Sequence, residues 1–348
     1  MGPIAHGGHC VARAEGRVVF VRHALPGERV EVVVTEGSEG DRFWRADAVT
    51  VLDPSTPDRV LAPCPYAGPD ACGGCDFQHV ALRAQRALKA AVVREQLSRL
   101  AGLDVDVEVE SVPGDEDGLH WRTRQRYVEL PDGSRGMRKH RSHDVVVVDE
   151  CLLEATEPPR HTVRDRSFSV AEGGFWQVHP GAPEVLVDTV LSFLAPRPGE
   201  SVLDLFAGVG LFAAFLADAV GPEARVVAVE GNRAACRHAQ RNLGGSAEVA
   251  PGAVDQVLTS ASHEPFDLVV LDPPREGARR TVVDQVAART PRAVAYVACD
   301  PAALARDLAI FAEHGYRLAQ LRAFDMFPMT HHVECVALLE PAAVITRA

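Results

Sequence analysis

Ser201-Val-Leu-Asp204-Leu-Phe206-Ala-Gly208-Val-Gly210 is the stretch that decides the fold. An apolar strand runs into a Gly-x-Gly turn, and a helix, Leu211 to Ala219, follows at once. Val226-Val-Ala-Val-Glu230 is the next apolar run, and it ends in an acid 20 residues beyond Gly210. That carboxylate stands where a ribose-binding acid stands in nucleotide-type α/β sites. A Gly-x-Gly pair alone is a weak signal; here a strand, a helix and an acid accompany it. The longer dinucleotide pattern puts Ala213 in its last position, which it also permits, so residues further on must separate the possible users of such a site.

Downstream the alternation continues. Asn232 caps a helix to about Asn242. Phe266 to Leu271 reads as a fourth strand delivering Asp272-Pro273-Pro274-Arg275, and Ala293 to Ala298 as a fifth delivering Cys299. Asp300 and Pro301 then read as the N-cap and first position of a helix to about His314. Tyr316 to Phe324 and Val333 to Leu339 form a terminal antiparallel pair. This order matches a class I methyltransferase sheet: Rossmann-like, seven-stranded, mostly parallel, with a late hairpin. Ligands bind outside the carboxyl ends of such strands. Cys299 sits there, beside a helix N-terminus that favours thiolate. By position alone it reads equally as a small buried residue.

A chain of 348 residues is long for one core. The divisions expected are a β-barrel over 1–54, a central domain over 61–165 and the methyltransferase domain over 166–348. Apolar residues make up 47% and charged residues 24%, an ordinary balance for a globular protein. No membrane span or export signal is visible, so a cytoplasmic location is expected. In that compartment the eight cysteines are metal ligands, a nucleophile or core residues rather than disulfides. A net charge of -12 argues against nucleic acid as an average, but local patches decide.

Two regions of the N-terminal half carry chemistry. Before them, Gly16 to Val21, Arg29 to Val34 and Phe43 to Val51 read as strands of an OB-type barrel, with Leu25 to Glu28 as a turn and Asp53 to Pro57 as a linker. The barrel resembles a TRAM domain, an RNA-binding module. Cys64, Cys72 and Cys75 surround a Gly-Gly pair, and Cys151 is the best fourth ligand. Four thiolates suit a [4Fe–4S] cluster or structural zinc; spacing does not separate these, and reduced thiols remain the plain alternative. A helix is predicted over Gln78 to Leu100. Between Trp121 and His143 seven basic residues, from Arg122 to Arg141, face two acidic ones. Arg122, Arg124 and Arg126 alternate, and on a strand would share one face. Arginines interleaved with Trp121 and Tyr127 suit RNA, whose phosphates pair and whose bases stack.

The loops after the strands bring Gly208 to Gly210, Glu230, Asp272 to Arg275 and Cys299 to one rim. Asp-Pro-Pro alone suggests methylation of an exocyclic amine, but Arg275 replaces the usual aromatic and a cysteine is at hand. That points to carbon 5 of a pyrimidine. A thiolate adding to carbon 6 makes carbon 5 nucleophilic toward the methyl of S-adenosylmethionine, and a base then removes the carbon 5 proton.

The chain resembles the RNA uracil-5-methyltransferase family across nearly its whole length. The likeness rests on the barrel, the four cysteines, Gly136 to His143, Phe175-Trp-Gln177-Val, Asp204 to Gly210, Asp272 to Arg275, Cys299-Asp-Pro-Ala and Asp325 to Cys335. It implies Cys299 as nucleophile, Glu334 as base, and Gln177, Phe206, Glu230 and Asp272 as the S-adenosylmethionine site. It implies an RNA partner, rRNA favoured over tRNA, held by the basic segment and the barrel, with the target base flipped out of its stack. No membrane or obligate protein partner follows, and a monomer is the default. His179, Trp176, Leu211 and Met329 depart from the family's common residues. The rivals are a non-catalytic RNA-binding protein and a cytosine-5 enzyme.

Overall fold

The computed structural model describes residues 1–53, 56–261 and 264–342. Pro54 and Ser55 of the expected linker lie outside them. In chain order, β1 (Ile4–Ala5), β2 (His9–Ala14), β3 (Arg17–Arg22), β4 (Arg29–Glu36) and β5 (Phe43–Asp53) precede helix α1 (Leu82–Ala101). Short strands follow: β6 (Val109–Ser111), β7 (Val128–Glu129), β8 (Arg135–Arg138), β9 (Val145–Val147), β10 (Thr162–Val163) and β11 (Arg166–Ser167). Then come α2 (Ala182–Leu194), β12 (Val202–Leu205), α3 (Leu211–Val220), β13 (Val226–Glu230), α4 (Arg233–Leu243), β14 (Glu248–Pro251) and α5 (Val254–Ser260). The chain ends with β15 (Leu268–Leu271), α6 (Arg279–Ala287), β16 (Ala293–Ala298), α7 (Pro301–Glu313), β17 (Tyr316–Asp325) and β18 (Glu334–Pro341).

These elements form two compact, discontinuous units. One holds residues 1–93, 114–158 and 325–332; the other holds 94–113, 159–324 and 333–348. The stretches 1–54, 61–165 and 166–348 are chain segments, whereas the units exchange pieces of chain.

In the first unit β1 to β5 make one sheet in the order β1-β2-β3-β5-β4. The Leu25–Glu28 turn does not join paired neighbours: β3 runs parallel to β5, and β4 pairs with the other edge of β5. Cys10, Val19, Val21 and Ala46 bury their side chains in a core that Phe77, Val80 and Val92 share. The helix begins at Leu82, not Gln78, because residues 76–80 are bonded elsewhere: Asp76 and Phe77 N–H both donate to the Met329 carbonyl. Gln85 completes that seam, accepting from Met329 N–H at 2.8 Å. Lys89, fully buried, donates to Asp325 at 2.5 Å and to the Phe327 carbonyl at 3.0 Å. Desolvation of this kind is costly unless the charge is paired and bonded, as here.

In the second unit the sheet order is β14-β13-β12-β15-β16-β18-β17-β6. The first five strands in that order are parallel, and β18 is antiparallel to both β16 and β17. The seven strands expected are therefore eight: β6, from chain well ahead of the Rossmann-like repeat, adds an edge. Strands buried on both faces explain the unbroken apolar runs, such as β16, which is buried throughout. Strand order reverses between β12 and β15, which opens the crevice where such sheets bind ligands.

Candidate active site and cysteine cavity

The glycine turn after β12 is built from its own side chains. Phe206 has φ 62 and Gly210 φ 86. An aromatic residue in the left-handed region is strained, and such strain gathers at functional sites. Gly208 N–H donates to Glu230 at 2.8 Å, and Asn232 N–H donates to its other oxygen at 2.6 Å. One backbone donor on each oxygen orients the Glu230 carboxylate and leaves lone pairs for a diol. Asp204, fully buried, accepts from Ala213 N–H at 2.9 Å. Burial, opposed by that bond and reinforced by Asp272 and Glu230, pushes its carboxyl up to about 8. Sequence reasoning left Asp204 out of the site; an acid inside an apolar strand was the available signal.

The remaining groups meet at the same strand ends. Asp272 follows β15, and burial together with the Glu230 charge pushes its carboxyl up to about 7. Cys299 follows β16 and precedes Asp300, whose side chain accepts from Ala303 N–H at 2.8 Å, capping α7. Glu334 opens β18, where the register sets Cys335 opposite Ala298 and Glu334 opposite Phe324. Glu334 is 3% exposed, and burial, then the Asp272 charge, raises its carboxyl well above the usual range. Among the described residues no salt bridge includes it.

The expectation that the helix N-terminus favours a Cys299 thiolate needs correction. Burial, then Glu334 and Asp272, pushes the thiol up to about 12, against the Arg275 charge. Two nearby carboxyl groups and lost solvent outweigh a helix end. Cys335 is fully buried core, as its strand parity requires.

Gln177 is half-buried on the loop before α2. Among the described residues no hydrogen bond ties it to Glu230, Asp272 or Cys299. Its neighbours are structural: Trp176 packs on Phe168 at 5.5 Å, and His179 accepts from Gly181 N–H at the start of α2.

In the first unit Cys64, Cys72, Cys75 and Cys151 are free and line one cavity, with Arg122, Met137, Val148, Leu152 and Leu153. Gly74 N–H approaches Cys72 Sγ at 3.4 Å, Gln78 approaches Cys75 at 3.5 Å and Gln125 approaches Cys151 at 3.2 Å. Burial pushes the Cys75 thiol up to about 12. Among the described residues no three His, Cys, Asp or Glu side chains are arranged to hold one metal ion.

The basic segment departs from its expected form. Residues 121–127 are not a strand, and Arg122 turns into the cysteine cavity instead of sharing a face with Arg124 and Arg126. Trp121 is 2% exposed and packs edge-on against Phe327, so it offers no stacking surface. Lys139 pairs with Asp70 and Arg141 with Glu36. Arg126, Arg135 and Arg138 are exposed, and Arg135 lies over the Tyr127 ring at 4.2 Å.

Comparisons with known proteins agree with this architecture. Residues 256–342 match the tRNA (Uracil-5-)-methyltransferase family, residues 184–295 the methyltransferase small domain and residues 2–49 the TRAM domain. An uncharacterized RNA methyltransferase of Streptomyces coelicolor is 44% identical, over 99% of this chain and 92% of its own. The 23S rRNA (uracil(1939)-C(5))-methyltransferase RlmD of Pseudomonas fluorescens is 32% identical, over 97% of this chain and 92% of its own. The fold is that of the Pyrococcus abyssi tRNA (uracil-54, C5)-methyltransferase crystallised with S-adenosyl-L-homocysteine. That structure has a TM-score of 0.71 and 22% identity, over 97% of this chain and 99% of its own.

Proposed function

The chain belongs to the RNA uracil-5-methyltransferase family, and from that premise we propose that it methylates carbon 5 of a uridine in 23S rRNA, in the cytoplasm, through a covalent adduct on Cys299. The observation that carries the reading is the meeting of Cys299, Glu334 and Asp272 at one end of the sheet. S-adenosylmethionine, when bound, supplies the methyl group. Glu230 offers lone pairs to its ribose hydroxyls, Phe206 an apolar surface, Gln177 an uncharged amide for its amino-acid end, and Asp272 a carboxylate for its ammonium.

Cys299 is the nucleophile for carbon 6 of the flipped uridine. Its thiol gives its proton to solvent as the sulfur bonds carbon 6, and the protonated form of Glu334 eases this by leaving no negative charge beside the sulfur. Glu334 must then lose its own proton to solvent before it takes the carbon 5 proton; its raised affinity for a proton makes the carboxylate a stronger base at that moment. As the proton moves to Glu334, the carbon–sulfur bond breaks and the thiolate departs. Exposed Arg126, Arg135 and Arg138 offer charge for RNA phosphates.

The four cysteines are read as ligands of a [4Fe–4S] cluster, with a structural role. The four thiols line one cavity, which suits such a cluster; structural zinc would use the same four side chains. Donors at three of the sulfurs fit that assignment. The rRNA substrate follows the names of the relatives that match most of the chain.

Methyl transfer from labelled cofactor to 23S rRNA lacking the modification, and to unmodified tRNA, is the test. Cys299→Ala is expected to abolish transfer, and Glu334→Gln to accumulate a covalent protein–RNA adduct. Normal turnover by Cys299→Ala would rule out the covalent route; transfer to tRNA alone would rule out the rRNA substrate.

A further inference from the structure

The loop that carries Asp272 and Arg275 is held by two buried groups that the reaction itself does not use. Gly277 N–H donates to the Pro274 carbonyl at 2.8 Å, closing a turn with Arg275 and Glu276 at its centre. The next residue is clamped. Ala278 N–H donates to Asp307 at 2.7 Å and also to the Tyr296 hydroxyl at 3.0 Å. Arg279 N–H donates to the same Asp307 oxygen at 3.3 Å, and the Tyr296 hydroxyl donates to it at 2.5 Å. Tyr296 is fully buried and Asp307 is 2% exposed. The approach is close: at Gly277, φ +83, an added Cβ would lie 2.6 Å from that Asp307 oxygen.

The clamp's members also govern Cys299. Tyr296 lies on β16, three residues before Cys299 and beside Leu271, which immediately precedes Asp272. Asp307 lies on α7, the helix whose N-cap follows Cys299. One strand and one helix therefore present the thiol at one point and grip the arginine loop at another. Arg275 is the cation that opposes the carboxyl groups around Cys299.

We propose that Tyr296 and Asp307 are positioning residues: they latch the turn after β15 to β16 and α7 and so fix where that loop presents Arg275 at the strand ends that carry Cys299. The assignment rests on Cys299 being the nucleophile. A buried carboxylate spent on backbone N–H groups and a tyrosine is strong where every partner is satisfied, so the latch is stiff. A stiff latch fixes a charge that an exposed arginine on a free loop would lose to solvent.

The test uses the full chain with Tyr296→Phe, Arg275→Gln and the double substitution; Tyr296→Phe keeps ring volume and leaves Asp307 its backbone donors. The first readout is the iodoacetamide alkylation rate of Cys299 across pH 7.5–9.5, followed by mass spectrometry of its peptide. The second is kcat and the cofactor KM for RNA methylation. Tyr296→Phe is expected to slow alkylation about threefold at every pH in that range and to lower kcat about tenfold, with cofactor KM little changed. The double variant should be no slower than Arg275→Gln alone, because both changes remove one effect. Wild-type alkylation in Tyr296→Phe, or losses that multiply in the double variant, would overturn the proposal. Absence of uridine methylation by the unsubstituted protein would refute the proposed function, while the alkylation comparison would still decide the latch.

Discussion

Cofactor affinity is expected to fall as pH drops through about 7, and Asp272 sets the size of the effect. Burial and the Glu230 charge raise its carboxyl to about 7, against about 3.9 for an unperturbed aspartate. Binding a ligand ammonium requires the carboxylate form, so below that value each binding event must first release a proton. The sign follows: ligand and proton compete, and affinity weakens about tenfold for each pH unit below 7, or about 1.4 kcal/mol. Between pH 8 and pH 6 the expected loss is about tenfold, because roughly nine-tenths of the carboxyl is ionised at the upper value and one-tenth at the lower. Titration calorimetry with S-adenosylhomocysteine from pH 5.5 to 8.5, in two buffers of different ionisation enthalpy, measures affinity and proton release together. Asp272→Asn should bind weakly and with a flat profile. A flat profile in the unsubstituted protein, or binding at pH 6 without proton release, would refute the assignment of Asp272 to the ammonium.

Other perturbations reach the framework. Lys89→Met should destabilise the first unit by about 3–5 kcal/mol, because Asp325 would keep a buried charge without its cation. Urea unfolding followed by Trp121 fluorescence reads this, and Lys89→Met combined with Asp325→Leu should recover most of the loss. Asp300→Ala removes the cap of α7 and should cost about 1 kcal/mol, with a further fall in turnover because Cys299 adjoins that cap. Cys75→Ser should abolish bound iron and sulfide, and the visible absorbance of the purified protein, while leaving S-adenosylhomocysteine affinity within about twofold. Iron content unchanged in that variant would exclude Cys75 as a ligand.

Legibility in the sequence followed the range of the interactions. The strand Ala293–Ala298, the Asp300 cap, the glycine turn and the terminal antiparallel pair are local matters of hydrophobic runs, cap chemistry and backbone freedom, and each stands where the sequence put it. The strand read through Arg122, Arg124 and Arg126 failed because alternation cannot reveal that Arg122 has a cavity to enter. Trp121 failed likewise, its ring being claimed by Phe327 from 206 residues away.

By itself the sequence determined the class of sheet and the succession of its elements along the chain, and it nominated the side chains proposed to react, because apolar runs of strand length and short motifs at their ends are local patterns. Only the tertiary structure decided the protonation chemistry. Cys299, Asp272 and Glu334 lie far apart in the chain, and their proton affinities are set by shared burial and mutual charge. The eighth strand, the Lys89–Asp325 pair and the Tyr296–Asp307 latch belong to the same class. Each depends on which distant residues meet in a low-dielectric interior, and a linear pattern carries no record of that.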